Sequence, residues 1–282
     1  MAAIIIIIMT AIIAGQNILR KIYNIKTEGE GTYMYLGILS LVASLFFLFS
    51  SGFNLTFLPS LLPYGVAVAV FYAGANYFAI RAIAIGPLAL SALIGAFSLV
   101  VPTTFGIVAY DEGITPWYIV GAMSLVMSIL LTNSGKNDKK ITLKWAICSA
   151  LGAIFNGLFS VTQSLEQKAF DGLYKNELML IGLGLSAVFF FAMAAVKERG
   201  VFKKCIKHSW SAAVVGASSG LGNLCKMMLM EIMNLSIIFP LINAGSIIAT
   251  AAVAVLYYKE KLSKKQAAGL LFGLITIVFI AL

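Results

Sequence analysis

The chain is short of charge: Asp, Glu, Lys and Arg make up 11% of its 282 residues, against 61% hydrophobic ones. Its mean hydropathy of +0.98 lies far above the mixture of a water-soluble domain, so the bilayer is the expected solvent. It has one histidine, His208, and that residue falls in a basic loop, which argues against a histidine metal site or acid–base apparatus. Its three cysteines, Cys148, Cys205 and Cys225, have neither metal-site spacing nor the even count of a disulfide framework, and read as free thiols. No catalytic residue, metal or cofactor is assigned. Acidic residues are scarcer than basic ones, 11 against 20, for a net charge of +9. The basic residues come in short runs between long uncharged stretches, which is a membrane-topology pattern rather than a phosphate-binding face, and no nucleic-acid partner is expected.

What the chain has in abundance is apolar runs. A bilayer core about 30 Å thick takes about 20 helical residues, and ten such spans can be marked off: Ala2 to Leu19, Tyr33 to Ser51, Leu61 to Ile80, Leu88 to Tyr110, Thr115 to Thr132, Leu143 to Leu165, Glu177 to Val196, Ser209 to Met230, Leu235 to Tyr258 and Ser263 to Leu282. The opening MAAIIIIIMTAIIAG resembles a signal h-region, but no basic segment precedes it and Gln16 and Asn17 follow within the same run. It reads as a retained first helix. The connections are too short for a soluble catalytic module. Trp117, Trp145 and Trp210 each lie near the start of a span, where an amphipathic ring suits the headgroup level.

All but Lys168, Lys175 and Lys226 of the 20 basic residues fall in connections on one side of this ten-span layout. The positive-inside rule makes that side cytoplasmic, in the cell (inner) membrane, with both termini extracytoplasmic.

The chain also carries a weak internal repeat. The segment LIGAFS…AYDEGITPWYIVG aligns without gaps to LINAGS…YYKEKLSKKQAAG, matching Glu112 with Glu260 and Gly121 with Gly269. Span 3 matches span 8, with Asn76 on Asn223 after a one-residue slip, and span 1 matches span 6, with Gly15 on Gly157. The unit is five spans, residues 1–133 and 143–282 joined by a basic linker at 134–142. An odd unit inverts the second copy relative to the first, the architecture of many secondary transporters. The expected fold is therefore an all-α polytopic membrane protein of ten transmembrane helices arranged as two inverted five-helix repeats. Asp111, Glu112 and Glu260 sit at span ends and read as caps.

With its Glu-to-Gly hinges at Glu112–Gly121 and Glu260–Gly269, this organisation resembles the drug/metabolite transporter superfamily in its ten-helix EamA-type branch. The resemblance implies a carrier with a central cavity lined by spans 1, 3, 4, 6, 8 and 9, with spans 5 and 10 peripheral. It departs from the family in one respect: ten-helix members are generally drawn with cytoplasmic termini. The superfamily's four-helix exporters use a glutamate in the middle of the first helix, and neither span 1 nor span 6 has a mid-span carboxylate, which disfavours proton-coupled export of cationic drugs.

Polar residues deep in a span face protein or a water-filled cavity. Here they are Gln16, Asn17, Asn76, Asn156, Gln163, Asn223, Lys226 and Asn243, confined to spans 1, 3, 6, 8 and 9. The candidate substrate-binding residues are Gln16, Asn17, Tyr72, Asn76, Asn156, Asn223, Lys226 and Asn243, with amides donating hydrogen bonds and Lys226 meeting a carboxylate or phosphate. Lys226 has two open readings, a cavity cation or an anchor that snorkels to the headgroups. Amides can also serve as interhelical glue. Tyr72, Tyr77, Phe78, Phe155 and Phe159 could pack or could cage a quaternary cation. Gly152, Gly157, Gly216, Gly220 and Gly222 read as close-packing surfaces, and Pro87, Pro102 and Pro240 as kinks or helix entrances.

The expected function is transport of a small polar metabolite by alternating access, with an amino acid or another anionic or zwitterionic metabolite favoured. The alternatives are a carrier of a small organic cation and a non-transporting membrane receptor or scaffold. A membrane-embedded enzyme would need a His, Asp, Glu or Cys cluster at one depth, and the sequence offers none. The partners are the metabolite and membrane lipid, with a monomer or a homodimer both open.

Overall fold

The computed structural model describes residues 2–27, 30–85, 94–95, 97–132, 142–201, 206, 209–256 and 264–280. The fold is all-α. Its helices are α1 (Ala2–Thr27), α2 (Thr32–Ser50), α3 (Leu62–Ile85), α4 (Val100–Ala109), α5 (Pro116–Thr132), α6 (Leu143–Ala169), α7 (Lys175–Lys197), α8 (Trp210–Ile232), α9 (Leu235–Leu256) and α10 (Lys264–Ile280). Each coincides with an apolar run, because a helix satisfies its own backbone polar groups where solvent cannot. The start of the fourth span with Pro87, most of the 134–142 linker, Cys205, His208 and Glu260 lie outside the described residues.

Local chemistry fixes several ends. The Thr142 hydroxyl accepts a hydrogen bond from the Trp145 N–H at 3.2 Å and opens α6. Pro102 lies in the first turn of α4, after a 3₁₀ turn at Phe97–Leu99, where a missing N–H costs no helical bond. Pro240 lies inside α9. Two helix starts are capped from a distance. The Leu235 and Ser236 N–H groups at the head of α9 donate to the two carboxylate oxygens of Glu112 at 2.9 and 2.8 Å. The Tyr33 and Met34 N–H groups of α2 donate to those of Glu198, both at 2.9 Å. Each carboxylate satisfies two orphan donors and meets the positive end of a helix dipole.

Packing crosses the sequence halves. α3 lies against α6 and α7; α8 lies against α1 and α2; α2 pairs with α7, α4 with α9 and α5 with α10; α1 also meets α9, and α4 meets α6. Two bundles result, α1–α2–α8–α9 and α3–α4–α6–α7, with α5 and α10 at the side. Glycines permit the close crossings: a methyl group at Gly216 would meet the Leu39 carbonyl oxygen at 2.6 Å, at Gly220 the Phe46 ring at 2.6 Å, and at Gly152 the Ala79 backbone nitrogen at 3.2 Å. Gly15 has open space around it, and Gly222 makes only ordinary contact. Hydroxyls join helices by donating to backbone carbonyls: Ser44 to Leu180 at 3.0 Å, Ser186 to Ala69 at 3.1 Å and Ser128 to Gly269 at 2.7 Å.

The largest apolar core, around Leu39, Phe47, Leu183, Phe190 and Val215, fills the space between α2, α7 and α8. The outer surface is apolar as well, with Phe49, Val108, Met123, Val188 and Leu271 exposed, which suits lipid rather than water. Among the described residues, four helical stretches are long and apolar enough to cross a membrane: Thr32–Ser50, Pro59–Ala82, Leu143–Ala169 and Lys175–Lys197. Trp117 and Trp210 are half-exposed at helix starts, whereas Trp145 is buried in the packing. Sequence neighbours run antiparallel, so Tyr33, Arg81 and Lys197 gather at one end and Glu112, Glu177 and Glu231 at the other.

Candidate functional site

Side chains of α3, α6 and α8 converge on Phe159. Gly74 of α3 faces the Phe155 ring on α6 and leaves room for it. One turn away, the buried Tyr72 ring lies 5.4 Å from the Phe159 ring. On the same ring, the Lys226 ammonium stands 4.5 Å from the centroid, a cation–π distance. Lys226 therefore points inward at α6. Among the described residues no carboxylate forms an ion pair with it; the nearby carboxylate of Glu231, at the end of α8, is paired with Lys175 at 2.7 Å.

Asn223 stands one turn before Lys226 on α8. Its Nδ2 donates to the Ser219 carbonyl at 2.9 Å, which leaves Oδ1 as the acceptor for Gln163 Nε2 at 3.5 Å. Gln163 Nε2 also lies 3.1 Å from Met179 Sδ. Tyr72, Asn223 and Lys226 thus gather around Phe159 and Gln163. The other sequence candidates make no described bond to the side chains of these residues. Asn156 Nδ2 donates to Ser98 Oγ at 2.9 Å and ties α6 to the entrance of α4. Gln16 Nε2 donates to Ser218 Oγ at 3.3 Å and ties α1 to α8. Asn76 donates to the Tyr72 carbonyl at 3.0 Å, and Asn243 to that of Phe239 at 2.8 Å, each along its own helix. The Asn17 side chain lies outside the described residues.

Two features escape a reading of the sequence alone. The first is a cavity of about 290 Å³ at the lysine- and arginine-rich end, lined by Glu30, Gly31, Thr32, Tyr33, Tyr77, Arg81, Lys197 and Glu198. Tyr33 and Tyr77 stack there at 5.7 Å, with Arg81 at 6.0 Å from the Tyr77 ring and Lys197 at 5.6 Å from the Tyr33 ring. From this cavity an aromatic ladder runs inward, Tyr77 to Phe78 at 5.4 Å and Phe78 to Phe155 at 5.7 Å. Its walls come from three distant segments, so only the i, i+4 pair Tyr77 and Arg81 was visible as a local signal.

The second is Glu166. The sixth span was expected to end at Leu165, which left Glu166 in a loop. Instead α6 continues to Ala169 and buries Gln163, Glu166 and Gln167, with Glu166 fully enclosed. Gln167 Nε2 donates to Glu166 Oε2 at 3.0 Å. The spacing i, i+3, i+4 was the available signal, since it puts three polar side chains on one helical face. Among the described residues there is no group of three His, Cys, Asp or Glu side chains placed to hold a metal.

No family model and no curated protein matches the sequence. One solved structure, "Crystal structure of protein", is similar over nearly the whole length: TM-score 0.77 at 14% sequence identity, covering 99% of this chain and 98% of that one. At that identity the likeness is one of fold.

Proposed function

We propose that the chain is a multi-pass carrier that moves a small polar metabolite across the cell membrane by alternating access, with an amino acid or another anionic or zwitterionic metabolite as the favoured cargo. One observation carries the proposal: Lys226 projects inward onto Phe159 with no carboxylate paired to it among the described residues, one turn from Asn223. A partly buried cation with no anionic partner is costly, and a cargo carboxylate or phosphate would supply that partner. The neighbouring amides and Tyr72 would then select its polar remainder.

The arrangement of the helices supports a carrier of ten spans built as an inverted repeat. Adding five to the helix numbers maps the α3–α6 contact onto α8–α1, α3–α7 onto α8–α2, and α4–α6 onto α9–α1, while α2–α7, α4–α9 and α5–α10 map onto themselves. The peripheral position of α5 and α10 and the capping role of Glu112 agree with the resemblance to the drug/metabolite transporter superfamily. Because packing crosses the halves, the bodies that rock are the two mixed bundles rather than residues 1–133 against 143–282. The cavity beside Arg81 and Lys197 would be the vestibule on the cytoplasmic side, with both termini on the other.

A carrier of organic cations fits less well, because Lys226 already occupies the face of Phe159 that such a cation would use. The experiment that tests the proposal is a thermal-stabilisation screen of purified protein over amino acids, organic acids and phosphorylated metabolites, followed by uptake of the hits into proteoliposomes. Stabilisation and uptake by an anionic or zwitterionic compound are expected; no response across the panel would overturn the reading. For the orientation, a single cysteine appended at the C-terminus should react with an impermeant reagent only from outside the cell.

A further inference from the structure

We infer that the buried face of α6 at its C-terminal end binds Na⁺, with Glu166 as the charged ligand and the side-chain oxygens of Gln163, Gln167 and Asn176 as neutral ones. Glu166 Oε1, Gln163 Oε1, Gln167 Oε1 and Asn176 Oδ1 are all buried, and none has a hydrogen-bond donor in the structure. Buried acceptors are normally satisfied, and four bare ones around the junction of two consecutive helices call for a common partner. The amide orientations are not free. Gln167 is set by its Nε2 donating to Glu166 Oε2, and Gln163 by its Nε2 donating to Asn223, itself set by Ser219. Oxygens, not N–H groups, are therefore what Gln163 and Gln167 present.

An all-oxygen set with one carboxylate suits a hard cation of single charge; calcium sites gather more carboxylates. The charges facing Glu166 from the packed elements are Lys175 and Glu177 on α7 and Glu231 on α8. Lys175 is shared with Glu231 through their ion pair at 2.7 Å, and Glu177, itself an anion, accepts from the Thr56 N–H at 3.0 Å. A proton on Glu166 would satisfy its own oxygen and one acceptor and leave two bare, whereas a cation can take all four. Gln163 faces the ion with one end and Asn223 with the other, which links occupancy of the ion site to the Lys226 site. That link rests on the carrier reading; the ion site itself does not.

The test is thermal unfolding of the full-length protein in detergent, without metabolite, in NaCl, KCl and choline chloride at equal ionic strength and fixed pH. Na⁺ near ten times its Kd is expected to raise Tm by about 2–3 °C over choline, and Glu166→Gln and Asn176→Ala to remove the shift. Either variant suffices if the other fails to fold. Equal Tm in all three salts, an equal or larger rise in K⁺, or a Na⁺ shift retained in both variants would overturn the assignment. So would stabilisation by acid alone that Glu166→Gln abolishes, since that would make the group a proton site. Uptake without any Na⁺ response would sink the ion site and leave the carrier; a Na⁺ response without uptake of any metabolite would do the reverse.

Discussion

Helices α3 and α8, which the sequence aligns as mates, share a frame and differ in chemistry. Each carries an asparagine, Asn76 or Asn223, whose amide donates to the carbonyl four residues back, and each packs on two helices from the other half of the chain. One turn before the asparagine, α3 has Tyr72 and α8 has Ser219; one turn after, α3 has Ala79 and α8 has Lys226. The aromatic and the cation thus sit on different mates and converge on Phe159 of α6. Two similar frames supply position, and the unequal side chains on them supply a candidate site with a charged end.

The sharpest way to break this comparison is to remove its largest difference. Lys226→Met should lower affinity for an anionic cargo by roughly 100-fold, as for loss of a buried charged partner, without lowering Tm, because it also removes an uncompensated, partly buried charge. Ligand titration and thermal unfolding of the same preparation read both quantities. If affinity is unchanged, α8 differs from α3 only in appearance.

The asparagines give the next contrast. Asn223→Ala should weaken binding by about tenfold, since its oxygen also holds Gln163 in place, whereas Asn76→Ala, whose described bond stays within its own helix, should cost about threefold or less. Isothermal titration of the two variants ranks them, and equal losses would make the pair functionally symmetric. The smallest effect is on stability. Gly216→Ala on α8 drives a methyl group against the Leu39 backbone and should cost about 1–3 kcal/mol, while Gly74→Ala on α3 meets only the Phe155 ring, which can turn aside for less. Denaturation in mild detergent compares them.

Much of this was legible in the sequence. Apolar runs marked the ten described helices, four of them long and apolar enough to cross a bilayer, because a helix satisfies its own backbone groups among apolar side chains. Lys226 and Asn223 stood out as polar residues in such runs. The continuation of α6 through Glu166–Ala169 was not legible: its Glu, Gln and Lys read locally as a loop, and only burial at the start of α7 and the end of α8 makes it helix. Neither was the exchange of α3 and α8 between bundles, nor the Tyr33–Tyr77 cavity, since both depend on contacts between segments far apart in the chain. Tyr77, Phe78 and Phe155 read as packing or as a cation cage, and their order as a ladder was not visible.

The two remote caps have a mechanical meaning. Glu112 and Glu198 both belong to the α3–α4–α6–α7 bundle, the helices they hold, α9 and α2, both belong to the other, and the two clasps stand at opposite ends of the molecule. In the alternating-access cycle proposed above, a tilt that opens either end would release the clasp there and turn about the one that remains, so each glutamate would be the latch of one stroke and the fulcrum of the next.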